Sequence, residues 1–152
     1  MKEHLQQPNV DQLAQIEETC ACLNVRKAAR AITQLYDEVL QPTGLRSTQF
    51  YLLVAVAKAG VAPVTQLAEI LVMDRTTLAR NLKPCVRQGL ITIDEGADRR
   101  RHLVRLTEGG RQALERAYPY WEQAQNQVVT HLGREQWLTL LAELKTTATV
   151  AQ

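Results

Sequence analysis

Apolar residues in the first forty positions recur at steps of three and four. Val25, Ala28, Ala29, Ile32, Leu35, Tyr36, Val39 and Leu40 form one stripe, a spacing that predicts an amphipathic helix from about Asp11 to Leu40. The polar stretch before it, with Pro8, reads as a frayed lead-in. Gln41-Pro42-Thr43-Gly44 ends the helix, because proline lacks a donor and glycine accepts a left-handed backbone. A second helix is expected from about Ser47 to Lys58. Its "FYLLVAVA" core is apolar on every face and must be largely buried. "KAGVAP" closes it, and a short third helix covers Val64 to about Leu71. After the tight turn "VMD", Asp74 is placed to cap a fourth helix running through Gln88, with Gly89 at its stop.

The pattern then changes period. "LITIDE", the turn "GADRR" and "RHLVRLT" read as a two-stranded hairpin. Thr107 and Glu108 open a long helix to about His131, where Leu114, Ala117, Trp121, Ala124 and Val128 step 3-4-3-4 like a coiled-coil seam. Pro119 predicts a kink in it. Gly133 interrupts the chain, and a last helix carries Trp137, Leu140, Leu141 and Leu144. The fold class is mainly α with a small β-hairpin wing. Helix, helix, turn, helix and hairpin, over residues 46–106, is the order of a winged helix-turn-helix lobe.

Composition narrows the function. The chain has 152 residues, 45% hydrophobic and 22% charged, enough for one domain with a real core. Net charge is only +2, so any nucleic-acid contact must rest on charge concentrated locally. Two places concentrate it. The first turns of the fourth helix carry Arg75, Thr76, Thr77, Arg80 and Asn81 beside Asp74, short polar groups and forked donors suited to phosphates and base edges. The hairpin tip carries Asp98, Arg99, Arg100 and Arg101, thin enough to enter a minor groove that attracts guanidinium. Charged tips and polar helix starts are ordinary features singly; their combination within about sixty residues points to DNA. No phosphate-cradling glycine loop, paired carboxylates or nucleophile–base signature is present, which argues against an enzyme. His4, His102 and His131 are dispersed, so no metal site and no cofactor is implied. There is no signal-peptide pattern and no apolar run of membrane length, so a cytoplasmic protein with reduced thiols is expected.

"VTQLAEILVMDRTTLARNLKPCVRQGLI" followed by "DRRRHLVRLTEGG" resembles the MarR family of bacterial transcriptional regulators. The likeness runs from about Asp11 to Leu144 and includes the proline-containing "ERAYPYWEQAQ". It implies one MarR-type domain over residues 1–152, with 11–42 and 107–148 as dimerisation helices and 46–106 as the DNA-binding lobe. It also implies a homodimer on double-stranded DNA at a palindromic operator, repressing until an inducer releases it. In the family's wing an aspartate orients an arginine in the minor groove. Asp98 and Arg100 match those positions, with Arg99 as a neighbouring candidate. Thr76, Thr77 and Arg80 fall where the family reads the major groove. Pro84, late in the fourth helix, departs from the pattern and should remove a hydrogen bond to Arg80.

Cys20 and Cys22 raise a separate question. On one intact helix, residues two apart diverge by roughly 200°, so the thiols could neither pair nor share a metal. Free cysteine is most simply a small buried hydrophobe, and Cys85 reads that way. The organic-hydroperoxide branch of the family offers a sharper expectation. It has a reactive cysteine near the start of this helix, and alignment through Leu35-Tyr36 puts Cys22 there. Tyr36 then matches the first of two tyrosines that hydrogen-bond the thiol across the dimer, while Ser47 replaces the second. Other inducers remain open: a small aromatic or phenolic ligand, with Arg26, Arg30 and Tyr36 as anion-meeting candidates, or a soft metal or arsenical on Cys20, Cys22 or Cys85. A winged-helix module that binds protein instead of DNA is the competing class.

Overall fold

The computed structural model describes residues 7–95 and 102–150. Its elements are α1 (Val10–Thr19), α2 (Ala21–Leu40), α3 (Ser47–Ala59), β1 (Val61–Pro63), α4 (Val64–Ile70), α5 (Arg75–Arg87), β2 (Ile91–Glu95), β3 (His102–Leu106), α6 (Glu108–Leu132) and α7 (Arg134–Thr147). They fall into two compact units, Met1–Leu35 and Tyr36–Gln152. None of the described helices is long and apolar enough to cross a membrane.

In the first unit, the single helix expected from Asp11 onward is broken. Cys20 adopts an extended conformation (φ −67°, ψ 110°) between α1 and α2. The cause is a side chain four residues on. Asn24 Nδ2 donates to the Glu17 carbonyl at 3.2 Å, an acceptor that a helix end leaves open, and to the Cys20 carbonyl at 3.0 Å, which also accepts the Asn24 N–H. Lys27 reaches back to Glu17 at 3.3 Å across the same corner. At its other end α1 is closed by a capping box between Asn9 and Gln12. Cys20 and Cys22 therefore do not share a helix, which corrects the premise that kept them apart. Leu13 and Ile16 on α1 are exposed, as is Val25 on α2.

The second unit holds the core. Leu40, Leu53, Val56, Leu67, Leu78 and Val104 are fully buried; they come from α2, α3, α4, α5 and β3. Most of "FYLLVAVA" is buried, with Phe50, Leu52, Leu53, Ala55 and Val56 inside, but one face stays open, with Tyr51 and Val54 each 41% exposed. The sheet has three strands where two were expected, in the order β1-β3-β2, all antiparallel. Val61 to Pro63 add to the free edge of β3, with Ala62 opposite Val104. Pro63 is tolerated because it ends an edge strand, where no donor is required. The strands β2 and β3 pair from Ile91 opposite Leu106 out to Glu95 opposite His102.

The junction of α5, the sheet and α6 is closely fitted. Gly89 (φ +67°) lets α5 end in a Schellman turn, with Leu90 N donating to Cys85 O at 2.9 Å and Gly89 N to Val86 O at 3.0 Å. Thr107 caps α6 by accepting from Gly110 N at 3.0 Å. Its hydroxyl donates to Gly89 O at 2.6 Å, and its own N–H donates to Leu90 O at 3.0 Å. A side chain on Gly110 would overlap the Leu90 carbonyl oxygen and come within 2.7 Å of Leu106 Cδ1. The "LTEGG" segment is thus where α6 starts directly against the end of α5. Helix α6 runs unbroken through Pro119. Ala113, Ala117, Ala124 and Val128 are buried, while Leu114 and Trp121 are half-buried. On α7, Trp137, Leu140 and Leu141 are half-buried, and Leu138 and Leu144 are exposed.

Candidate nucleic-acid interface

The site is built on α5. Leu78, Leu82 and Cys85 recur at steps of four and three and anchor one face of the helix in the core. The opposite face is left to solvent. Asp74 caps the helix: Oδ1 accepts from Thr77 N at 2.9 Å and Oδ2 from the Thr77 hydroxyl at 2.6 Å. These bonds, the hydroxyl first, hold the Asp74 carboxyl below the usual carboxylate range. A negative group at a helix start complements the local dipole.

The five residues expected on this helix separate into two groups. Arg75, Thr76 and Arg80 are exposed, and neither arginine forms an ion pair with a described residue. Thr77 is exposed too, but its hydroxyl proton is committed to Asp74, leaving it only acceptor capacity. Asn81 is half-buried, and its amide turns back to donate to Met73 Sδ at 3.6 Å. Asp98, Arg99 and Arg100, with Arg101, lie outside the described residues. At the base of the wing, Arg105 and Asp94 pair at 3.2 Å with both side chains about half exposed.

The seating of α5 uses residues that sequence reasoning passed over. Gln49 on α3 is 9% exposed. Its Oε1 accepts from Arg46 N at 3.0 Å and its Nε2 donates to Gln88 Oε1 at 3.1 Å. The Cys85 thiol donates to Asn81 O at 3.7 Å. Burial pushes the Cys85 thiol up, and a contact from Gln49 opposes that shift in part. A glutamine just before an apolar run was the available signal. The turn before α5 is strained: Val72 sits at φ +51°, a region β-branched residues avoid, with its side chain 63% exposed. Helix α5 continues through Pro84 to Arg87, so the proline leaves the exposed first turns intact.

The sensing candidates are dispersed. Cys22 is exposed in the first turn of α2, Cys20 is half-buried at the break, and Cys85 is buried. Tyr36 is 4% exposed, and its hydroxyl donates to Gln125 Oε1 at 2.7 Å, so that proton is already placed. Burial raises its pKa. Tyr36 begins a run of ring contacts through Tyr51, Phe50 and Trp121 to Tyr118, with centroids 5.7–6.5 Å apart. Arg26 and Arg30 are exposed on α2. Among the described residues no group of three His, Cys, Asp or Glu side chains is placed to hold a metal ion.

Comparison with known proteins identifies the fold. A sequence model described as MarR family matches residues 43–101. The M. tuberculosis transcriptional regulator MosR, solved in complex with DNA, is 36% identical over 87% of this chain and 96% of its own, with a TM-score of 0.80. The chain belongs to the MarR family. A probable transcriptional regulator from Pseudomonas aeruginosa superimposes with a TM-score of 0.78 at 26% identity, covering 86% of this chain and 98% of that one. A mutant E. coli MarR complexed with operator DNA shares the fold at a TM-score of 0.78 and 23% identity, over 88% and 96% of the two chains. No match was found among curated proteins. MarR-family membership makes this chain a transcriptional regulator and not an enzyme.

Proposed function

We propose that two copies of this chain bind a palindromic operator in double-stranded DNA and repress transcription until an inducing signal releases them. The observation that carries the reading is α5, whose buried face is locked to the core while Arg75, Thr76 and Arg80 stand exposed on its first two turns. Residues 46–106 are the DNA-binding lobe. Thr77, as an acceptor only, and the wing residues Asp98, Arg99 and Arg100 complete the contact surface, to which Asn81 adds only by releasing Met73. Residues 11–42 and 107–148 supply the dimer interface, and the exposed Leu13, Ile16, Val25, Leu138 and Leu144 are the apolar surface it covers. The relatives solved with DNA support the same reading.

The test is fluorescence anisotropy on the promoter region beside the gene, with light scattering for subunit number. A dimer whose affinity falls steeply with salt is expected, because each neutralised phosphate releases counterions. A monomer at micromolar concentration, or indifference to duplex DNA at low salt, refutes it. The second outcome would favour a protein-binding module.

For the signal, exposure of Cys22 beside the helix break favours thiol oxidation over an aromatic ligand or a soft metal. An organic hydroperoxide would oxidise Cys22. Sulfur attacks the outer oxygen, the O–O bond breaks, and sulfenic acid and alcohol result. With Cys20 off the helix, its thiol can displace that hydroxyl as water to form a disulfide. Cys22→Ser should abolish peroxide-induced release from DNA. Undiminished release would move the sensor elsewhere, and release by a phenolic acid or an arsenical instead would identify the alternative.

A further inference from the structure

Met73 is the only methionine after the first residue, and it stands in the turn between α4 and α5. Backbone bonds fix that turn: Met73 N donates to Ala68 O at 2.9 Å and Val72 N to Glu69 O at 3.1 Å, and Asp74 then caps α5. The Met73 side chain is half-buried. It borders a groove of about 650 Å³ shared with Thr65 and Glu69 of α4 and with Arg75, which gives small solutes a way in. Its sulfur accepts from Asn81 Nδ2 at 3.6 Å. Asn81 lies one turn after the exposed Thr77 and one turn before the buried Cys85, on the border between the two faces of α5. From that border its amide can turn inward to Met73 or outward beside Thr77. A thioether is a weak acceptor, so the inward position is held lightly.

Oxidation of the sulfur reverses that balance. Methionine sulfoxide is polar where the thioether is apolar, and its oxygen is a far stronger acceptor for an amide. That oxygen lies one bond nearer Asn81, and the flexible side chain lets the sulfur withdraw to make room. We propose that Met73 is an oxidation site and that its sulfoxide locks Asn81 away from DNA. The oxidant is a two-electron chlorine oxidant of the hypochlorous acid class, which thioethers consume readily. The sulfur loses two electrons and gains an S–O bond, the O–Cl bond breaks, and chloride and a proton are released. No thiol takes part, so this route is separate from Cys22. The inference rests on the reading of α5 as the DNA-binding helix, with Asn81 reaching a base once released.

The experiment uses the full chain carrying Cys20→Ser and Cys22→Ser, Cys85 being buried. Limiting hypochlorous acid is added, and mass spectrometry locates the gained oxygen. NMR follows the Asn81 side-chain amide without DNA, and fluorescence anisotropy reads operator affinity. Oxygen should appear on Met73, the Asn81 amide proton should move downfield, and operator affinity should fall roughly tenfold, the worth of one good amide–base contact. The salt dependence should keep its slope, because the phosphate contacts are untouched. Methionine sulfoxide reductases should restore binding. Met73→Leu should be indifferent to the oxidant, and Asn81→Ala should begin at the reduced affinity and lose no more. A Met73 that stays unoxidised, an oxidised protein with undiminished affinity, or an Asn81→Ala variant that loses as much as the parent overturns the proposal. If the untreated protein fails to bind operator, the DNA reading falls, and the Asn81 amide signal still decides whether the sulfoxide holds it.

Discussion

Gly109 and Gly110 are adjacent in the first turn of α6, yet alanine should act oppositely at the two. In a helix interior alanine is favoured over glycine by about 1 kcal/mol, and at Gly109 nothing opposes that. A methyl there meets Gly89 O at 3.4 Å and Thr107 Oγ1 at 3.6 Å, both ordinary contacts. At Gly110 the methyl would overlap the Leu90 carbonyl oxygen and press Leu106 Cδ1 at 2.7 Å. The leucine side chain can turn; the carbonyl cannot move freely, because it accepts the Thr107 N–H at 3.0 Å and follows the Schellman end of α5. Relief requires the start of α6 to shift by roughly an ångström, an overpacking cost of about 1–3 kcal/mol. Weakening the Thr107 bond adds about 1–2 kcal/mol. After subtracting the helix preference, Gly110→Ala should destabilise by about 1–4 kcal/mol, while Gly109→Ala should be neutral or stabilise by up to about 1 kcal/mol.

Urea denaturation followed by tryptophan fluorescence reads both, at one fixed protein concentration because subunit association contributes to apparent stability. Gly110→Ala within about 0.5 kcal/mol of the parent, or Gly109→Ala losing as much as its neighbour, would refute the close approach of α6 to Leu90. The comparison is informative because both substitutions lower chain entropy in the unfolded state equally.

Val72 holds a left-handed backbone with an exposed side chain, so Val72→Gly should remove about 1 kcal/mol of strain and raise the melting temperature by a few degrees; a lower melting temperature would show that the turn is not strained. Arg80→Ala and Arg100→Ala should each weaken operator binding by about 1–3 kcal/mol with little change in melting temperature, and unchanged affinity removes either residue from the interface. The Tyr51 hydroxyl is pushed up to about 12 by burial, with Tyr36 and Asp37 adding to the effect. Its folded value lies above the unfolded one near 10, so its contribution to stability is complete below pH 10 and is lost as pH rises toward 12. Ultraviolet titration should show a late phenol that Tyr51→Phe deletes, and a titration with every tyrosine ionising near its ordinary value would contradict this.

Much of the architecture was legible because it rests on period. In α6, Ala117, Ala124 and Val128 are buried at the expected steps, with Leu114 and Trp121 half-buried, and the change to alternation marked the sheet. What escaped was decided by single polar groups or distant partners. Strand β1 has three residues and exists only because β3, some forty positions away, offers a free edge; no local pattern announces that. The break at Cys20 is invisible in the apolar stripe, since its determinant is the Asn24 amide competing for carbonyls. The site was legible as residue types, but not as orientations. Polarity alone could not reveal that the Thr77 hydroxyl closes on Asp74, or that Asn81 turns to Met73, while Arg75 and Arg80 stay open.

The "LTEGG" segment shows how a resemblance differs from a reason. As a pattern it pointed to a family; in the fold none of its contacts involves a DNA-facing group. Thr107 joins the carbonyl of Gly89 to the first turn of α6, and Gly110 makes room for the carbonyl of Leu90. Both carbonyls belong to the exit from α5. The end of that helix is therefore fastened to the start of a 25-residue helix through short backbone-directed bonds, with no flexible linker between them. A displacement of α6 would be passed to α5 through Thr107 and Gly110. Weakening that fastening, as Gly110→Ala should, is predicted to loosen the coupling between inducer and operator even where Arg80 and the wing are intact. Inducer-dependent release that survives Gly110→Ala undiminished, in protein shown to be folded, would mean the signal reaches α5 by another route.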